Sequence, residues 1–128
     1  MTKPDVQEAI KVLDAAIRTS GQTREMMQTP AVVDALAVVG CDIGARPQDA
    51  PVFDDVKPHI LALRRGPSRL TVEFDASAAD LVAGFVAAEQ RCCSDLAFSV
   101  TRRDPAVMPV DATPDLIDAV EGWMTRGS

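Results

Sequence analysis

Apolar residues recur at a period near 3.6 along most of this chain and at a period of two in one clear stretch. Val6, Ile10, Leu13 and Ile17 fall on one helical face. They predict a first helix over residues 4–20, with Pro4 at its first turn and Gly21 at its end. Thr23 to Gln28 predicts a short helix carrying Met26 and Met27, read as core filler because a flexible thioether packs well. Thr29-Pro30 opens a third helix whose apolar positions are Val32, Val33, Leu36 and Val39, and Gly40 stops it. A connection follows from Gly44 to Pro51. Phe53, Val56, Ile60 and Leu63 then fit a further helix starting near Asp54 or Asp55, with Pro58 in its first turn and Gly66-Pro67 at its end.

Beyond that point the period changes. Leu70, Val72 and Phe74 alternate with Thr71 and Glu73, the signature of a half-buried strand. Ser77-Ala78-Ala79-Asp80 has the form of a capping box with Ser77 as N-cap. The helix it opens, over residues 77–95, carries Leu81, Phe85, Ala88 and Cys92, flanked by Val82, Val86 and Cys93. Phe98 and Val100 mark a second strand, Arg102 to Pro105 a turn, and Val107 to Val110 a third strand. Pro109 predicts that this third strand lies at a sheet edge. Thr113-Pro114-Asp115 caps a last helix whose inner face holds Leu116, Ile117, Val120, Trp123 and Met124.

This order predicts an α+β fold. A small, mostly antiparallel sheet carries helices on one face, and the N-terminal helices pack on it. Residues 1–45 form the helical segment and 46–128 the α+β core, together one compact domain. A length of 128 residues suits a single core.

Composition and charge remove several function classes. A net charge of −6 with no basic cluster beyond Arg64-Arg65 and Arg102-Arg103 gives no electrostatic footprint for nucleic acid. There is no long uninterrupted apolar run to enter a membrane. No secretory signal opens the sequence, so a cytoplasmic location is expected, and alanine richness with few lysines hints at a bacterial source. In a reducing compartment the three cysteines are expected as thiols and not as a disulfide framework. His59, the single histidine, reads as a solvated helix position. A sheet edge left open would allow a homodimer.

The chemistry gathers in Glu89-Gln90-Arg91-Cys92-Cys93. Glu89 stands three residues before Cys92 and four before Cys93, neighbouring offsets on a helix surface. An acid beside a buried stripe needs a partner to offset its desolvation. Adjacent cysteines in a helix point about 100° apart, so the pair would act by converging on a third group. Cys41, on the loop after Gly40 and followed by Asp42, supplies the remaining thiol. Thiolates favour soft ions such as Cu(I), Zn, Hg(II) and As(III). Cys41, Cys92 and Cys93 could form a trigonal metal site, or two could bind while Glu89 takes or gives a proton. A structural zinc site usually has four ligands, more than this set provides.

Two other readings stand beside it. A small enzyme would use Cys92 or Cys93 as nucleophile and Glu89 as acid–base, which requires a lowered thiol pKa. The C-terminal end of a helix raises it instead. An adaptor with inert cysteines is the third class, since Cys92 continues the apolar stripe and free cysteine packs as a small hydrophobe.

From Cys41 to residue 126 the sequence resembles a family of small uncharacterised bacterial proteins. In these a single upstream Cys leads a helix, a strand follows, and the next helix ends in Glu-x-x-Cys-Cys before a strand pair and a last helix. Cys41, Glu89, Cys92 and Cys93 match that pattern; Ser94 and Asp95 stand where members often have Pro and an aromatic. The resemblance implies a role in heavy-metal resistance or regulation. In outline, Cys41-Asp42 and Cys92-Cys93-Ser94-Asp95-Leu96-Ala97-Phe98 are also similar to organomercurial lyases. That likeness implies organomercurial-lyase-like chemistry under the enzyme alternative, whereas ion binding by the three thiolates implies a resistance or sequestration accessory.

Overall fold

Leu70, Val72 and Phe74 pair with Val110, Met108 and Ala106 on the neighbouring strand, and all six side chains are fully buried. This apolar sheet face is what the helices cover. The computed structural model describes residues 6–47, 49–93 and 95–125. Pro4, expected in the first helical turn, and Ser94, after the cysteine pair, lie outside them.

The helices are α1 (Val6–Ser20), α2 (Arg24–Met27), α3 (Pro30–Val38), α4 (Phe53–Val56), α5 (Ala79–Cys92) and α6 (Pro114–Thr125). The strands are β1 (Ile60–Arg65), β2 (Arg69–Phe74), β3 (Ala97–Phe98), β4 (Arg102–Arg103) and β5 (Ala106–Asp111). They form one antiparallel sheet in the order β1-β2-β5-β3, with β4 also on β5. The fold is α+β, as the residue pattern predicts.

Val82, Phe85 and Val86 of α5 and Ile117, Val120 and Trp123 of α6 close over the apolar face. Ala9 and Leu13 of α1, Val32 and Ala35 of α3 and Val39 just after it join the same cluster, so the N-terminal helices share the core of the sheet. The opposite face carries Arg64, Arg69, Thr71, Glu73 and Asp111, exposed or half-buried, around a buried Pro109. There Arg69 forks onto Asp111, with Nε and the second guanidinium nitrogen 2.6 and 2.9 Å from the carboxylate oxygens.

Several local expectations are corrected. Residues 60–65 are a strand and not the body of a helix: α4 spans only Phe53–Val56, and a 3-10 turn over Lys57–His59, with Pro58 inside it, leads into β1. His59, half-buried, therefore ends a 3-10 turn and is not on a helix. The false helical signal has a cause. A bulge between Ile60 and Ala62 puts Ile60 opposite Phe74 and Leu63 opposite Val72, so both reach the covered face at a spacing of three instead of two.

The capping box expected at Ser77 is not formed: α5 begins after Ala78 with no side-chain cap, and Asp75 caps the turn before it. The Asp75 carboxylate accepts from the Ser77 N–H at 3.0 Å, and a 3-10 turn over Ala76–Ala78 precedes the helix. Helix α5 also stops at Cys92, short of residue 95.

Strand β5 is interior and not an edge, despite Pro109. The N–H and C=O of one strand residue project to the same side, and the Pro109 carbonyl accepts from Ser99 N–H at 3.2 Å. The missing N–H therefore faces residues 99–101, where pairing lapses between β3 and β4, and no ladder bond to β2 is lost. Finally, the turn expected over Arg102–Pro105 is tighter: Arg102 and Arg103 pair with Val107 and Ala106 as β4, and the reversal falls at Asp104-Pro105.

Candidate functional site

Beyond the end of α3 and its cap Val39, Gly40 turns the chain at a φ of +87°, a left-handed conformation that suits glycine. A Cβ there would stand 2.5 Å from the Asp95 carboxyl carbon, so the chain also needs the space. This turn delivers Cys41 alongside the end of α5. The Cys41 N–H returns to the Leu36 carbonyl at 2.8 Å, and the Asp42 N–H donates to the Cys92 carbonyl. The Asp42 carboxylate is occupied locally, accepting from Gly44 N–H at 3.0 Å.

Cys41 and Cys93 face each other as a single antiparallel bridge with Cα atoms 4.0 Å apart, and their sulfurs form a disulfide. The expectation that all three cysteines are free thiols is thereby corrected. The physical reason is the bridge itself: narrow antiparallel pairs bring facing side chains close enough for a disulfide, although 52 positions separate the two in sequence.

The expected divergence of Cys92 and Cys93 is corrected too. Cys92 is the last helical residue, whereas Cys93 is extended, with φ −108° and ψ 121°. Leaving the helix brings its sulfur back to 3.5 Å from the Cys92 sulfur. Cys92 remains the one free cysteine. Burial, and next the Glu89 carboxylate, push its thiol up to about 11. An unaided nucleophile at Cys92 is therefore disfavoured at neutral pH.

Glu89 lies where helical spacing puts it, one oxygen 3.3 Å from the Cys93 sulfur. With Cys93 in the disulfide this is a contact; after reduction the Cys93 thiol can donate to the carboxylate. The other Glu89 oxygen is 3.2 Å from Arg46 Nε. Arg46 is buried, its side chain only 5% exposed, and it also donates to the carbonyls of Ala50 and Pro51. Burial raises the Glu89 carboxyl above the ordinary carboxylate range, and the Arg46 charge opposes that shift. The sequence pointed to a need for such a partner at Glu89, but nothing local singled out an arginine 43 positions upstream in a proline-rich connection.

Glu89, Cys92 and Cys93 offer ligand atoms within 4.8 Å of one another, and Cys41 is bonded to the last of them. All four residues singled out in the sequence thus meet. The donor set is mostly sulfur, and its one carboxylate is already committed to a guanidinium. That suits a soft ion far better than Ca²⁺ or Mg²⁺, which take oxygen ligands.

The three cysteines border two spaces. Outside is an open cleft of about 520 Å³ whose rim includes Asp42, Gln90 and Arg91. Inside is a cavity of about 80 Å³ walled chiefly by apolar side chains, among them Leu36, Phe53, Phe85, Phe98 and Trp123. Cys41, Cys92 and Cys93 line both. Among the described residues no helix is long and apolar enough to cross a membrane. The chain matches no protein-family model, no curated protein and no solved structure.

Proposed function

We propose that the reduced chain binds a soft, thiophilic ion of the Hg(II), Cu(I) or As(III) class through Cys41, Cys92 and Cys93, as a resistance or sequestration accessory. One observation carries the reading: the Cys93 sulfur is bonded to Cys41 and lies 3.5 Å from Cys92, so all three sulfurs share one small volume. Reduction frees two of them beside the third, and three thiolates suit a trigonal soft-ion site. The open cleft offers an entry path. The disulfide form holds a single thiol, so binding is coupled to reduction. The likeness to Cys…Glu-x-x-Cys-Cys proteins linked to heavy-metal resistance points the same way.

The test is titration of reduced protein with Hg(II), Cu(I) and arsenite, followed by thiolate–metal absorption. One ion per chain is expected, with at least tenfold weaker arsenite binding in Cys41→Ser and none in the disulfide form. Absence of binding, or arsenite binding indifferent to Cys41→Ser, rules out the three-thiolate site.

A second reading rests on the 3.3 Å approach of Glu89 to Cys93. In a thiolate-bound organometallic, a Glu89 carboxylic acid could pass its proton to carbon as the carbon–metal bond breaks, releasing the hydrocarbon and leaving the metal on sulfur. Hydrocarbon release lost in Glu89→Gln while ion binding persists would select this enzyme reading. No release from the unaltered protein removes it.

A further inference from the structure

The cavity behind the sulfurs bears on what the ion carries. A site for a bare ion needs sulfur and a path to solvent, and the outer cleft supplies both. It has no need of an apolar chamber. Yet Cys92 and Cys93 also open onto a cavity of about 80 Å³ bordered by Phe53, Phe85, Phe98 and Trp123. Since about 10–15 Å³ admits one water, this space holds a group of several heavy atoms, such as a short alkyl chain or a single ring. Apart from Gln22 and Glu89 the lining is apolar or sulfur-bearing, so water there has few partners, and transferring apolar surface into such a space is favourable. Phe85 meets Phe53 and Phe98 at centroid distances of 6.0 and 5.9 Å, edge-on to Phe98, an arrangement that presents ring faces and edges to a planar guest.

We infer that the preferred ligand is a monosubstituted trivalent arsenical, R–As(OH)₂ with R a small aryl or alkyl group, held by Cys92 and Cys93 with R in the apolar cavity. This rests on the soft-ion reading of the same thiols and adds the organic substituent. The chemistry balances without a change in oxidation state at arsenic. Two S–H and two As–OH bonds break, two As–S bonds form, and two waters leave. The Cys41–Cys93 disulfide is first opened by a dithiol or phosphine reductant, which is oxidised as the two thiols form. Because carbon fills one position on arsenic, two thiolates complete it. The sulfurs 3.5 Å apart on Cys92 and Cys93 are the adjacent pair, and Cys41 is left for inorganic As(III), which takes three.

Trp123, the single tryptophan, borders the cavity and reports on it by fluorescence. Protein reduced with a phosphine is titrated anaerobically with arsenite, phenylarsine oxide and 4-carboxyphenylarsine oxide. The two aryl probes have nearly the same arsenic centre and differ by a charge on the ring. Phenylarsine oxide is expected to bind at least tenfold more tightly than its carboxylate and to change Trp123 emission. Leu36→Phe, which fills the cavity from α3, is expected to cut phenylarsine oxide affinity at least tenfold while leaving arsenite within twofold. Cys41→Ser is expected to weaken arsenite and leave phenylarsine oxide within threefold.

Equal binding of the two aryl probes overturns the inference, as does a Leu36→Phe protein that retains full phenylarsine oxide affinity. If Leu36→Phe does not fold, the charged and uncharged rings on the unaltered protein still decide. Arsenite binding without discrimination between the rings leaves the soft-ion reading standing alone, whereas binding of none of the three removes both.

Discussion

Cys41 and Cys93, 52 positions apart in sequence, meet across a single antiparallel bridge with their Cα atoms 4.0 Å apart and their sulfurs joined. That link ties the loop after α3 to the end of α5 and leaves Cys92 as the thiol beside it. It makes the state of these sulfurs redox-dependent: the same residues that brace the fold when oxidised are thiols when reduced.

The first prediction concerns that brace. Thiol titration of protein purified without reductant and then denatured should find one thiol, and three after reduction. In the chain-entropy account, closing a loop of this length stabilises by about 4 kcal/mol. Reduction should therefore lower Tm by roughly 10–20 °C for a chain of this size. Cys41→Ser should reproduce the drop and make Tm insensitive to reductant. An unaltered Tm on reduction would show that the bridge carries no stability.

Cys92 should be sluggish while the disulfide is intact. A thiol pushed up to about 11 holds about a hundredfold less thiolate at neutral pH than an ordinary one. The greater intrinsic nucleophilicity of a more basic thiolate restores about tenfold. Iodoacetamide labelling of Cys92 at pH 7.5 should thus run about tenfold slower than that of a free cysteine. The rate should climb with pH and continue climbing past pH 9. A plateau below pH 9 would contradict the assignment of burial and Glu89 as its causes.

Much of the fold was legible because period and partner agreed. Leu70, Val72 and Phe74 alternate, and that face is what the helices cover. The strand at 60–65 was misread because a bulge gave Ile60 and Leu63 a helix-like spacing. Bulges depend on the partner strand, which local periodicity does not contain. Pro109 misled for a similar reason: whether a missing N–H matters depends on which side of the strand it faces. The grouping of Glu89 with the cysteine pair followed from helical offsets. Its meeting with Cys41 and Arg46 did not, since contacts across 52 and 43 positions are set by how the segment after α3 lies against the end of α5.

On the sheet face opposite the helices, the Arg69 guanidinium holds the Asp111 carboxyl below the ordinary carboxylate range. A depressed folded-state pKa gives stability that is present above the unfolded pKa and lost as pH falls through the folded value. Asp111→Asn should accordingly be slightly less stable than the parent at pH 7 and indistinguishable from it once pH falls below the range where Asp111 titrates. Because the pair is solvent-exposed, 0.5 M salt should shrink the pH 7 difference. Chemical denaturation at both pH values, with and without salt, measures this; a difference that grows toward low pH has the wrong sign.

The Arg46–Glu89 pair gives the sharpest test of how the site is held, because both groups are largely out of water, with side chains 5% and 15% exposed. Removing one partner of a buried pair strands the other charge and typically costs about 3–5 kcal/mol, whereas replacing both with apolar groups is often neutral. Arg46→Met should therefore destabilise strongly, and Arg46→Met with Glu89→Met should recover most of the loss. The pH dependence follows from Glu89. Burial already raises its pKa, and without Arg46 it rises further. A carboxyl with a raised folded-state pKa contributes stability that is fully present below its unfolded pKa and lost as pH climbs through the folded value. The Arg46→Met deficit should be largest near pH 8 and narrow toward pH 5 as Glu89 takes up its proton. Urea unfolding of the parent, both single variants and the double variant at the two pH values gives the coupling energy directly. Additive single costs, or a deficit independent of pH, would mean that Arg46 holds the 46–51 loop through the Ala50 and Pro51 carbonyls and contributes nothing through Glu89.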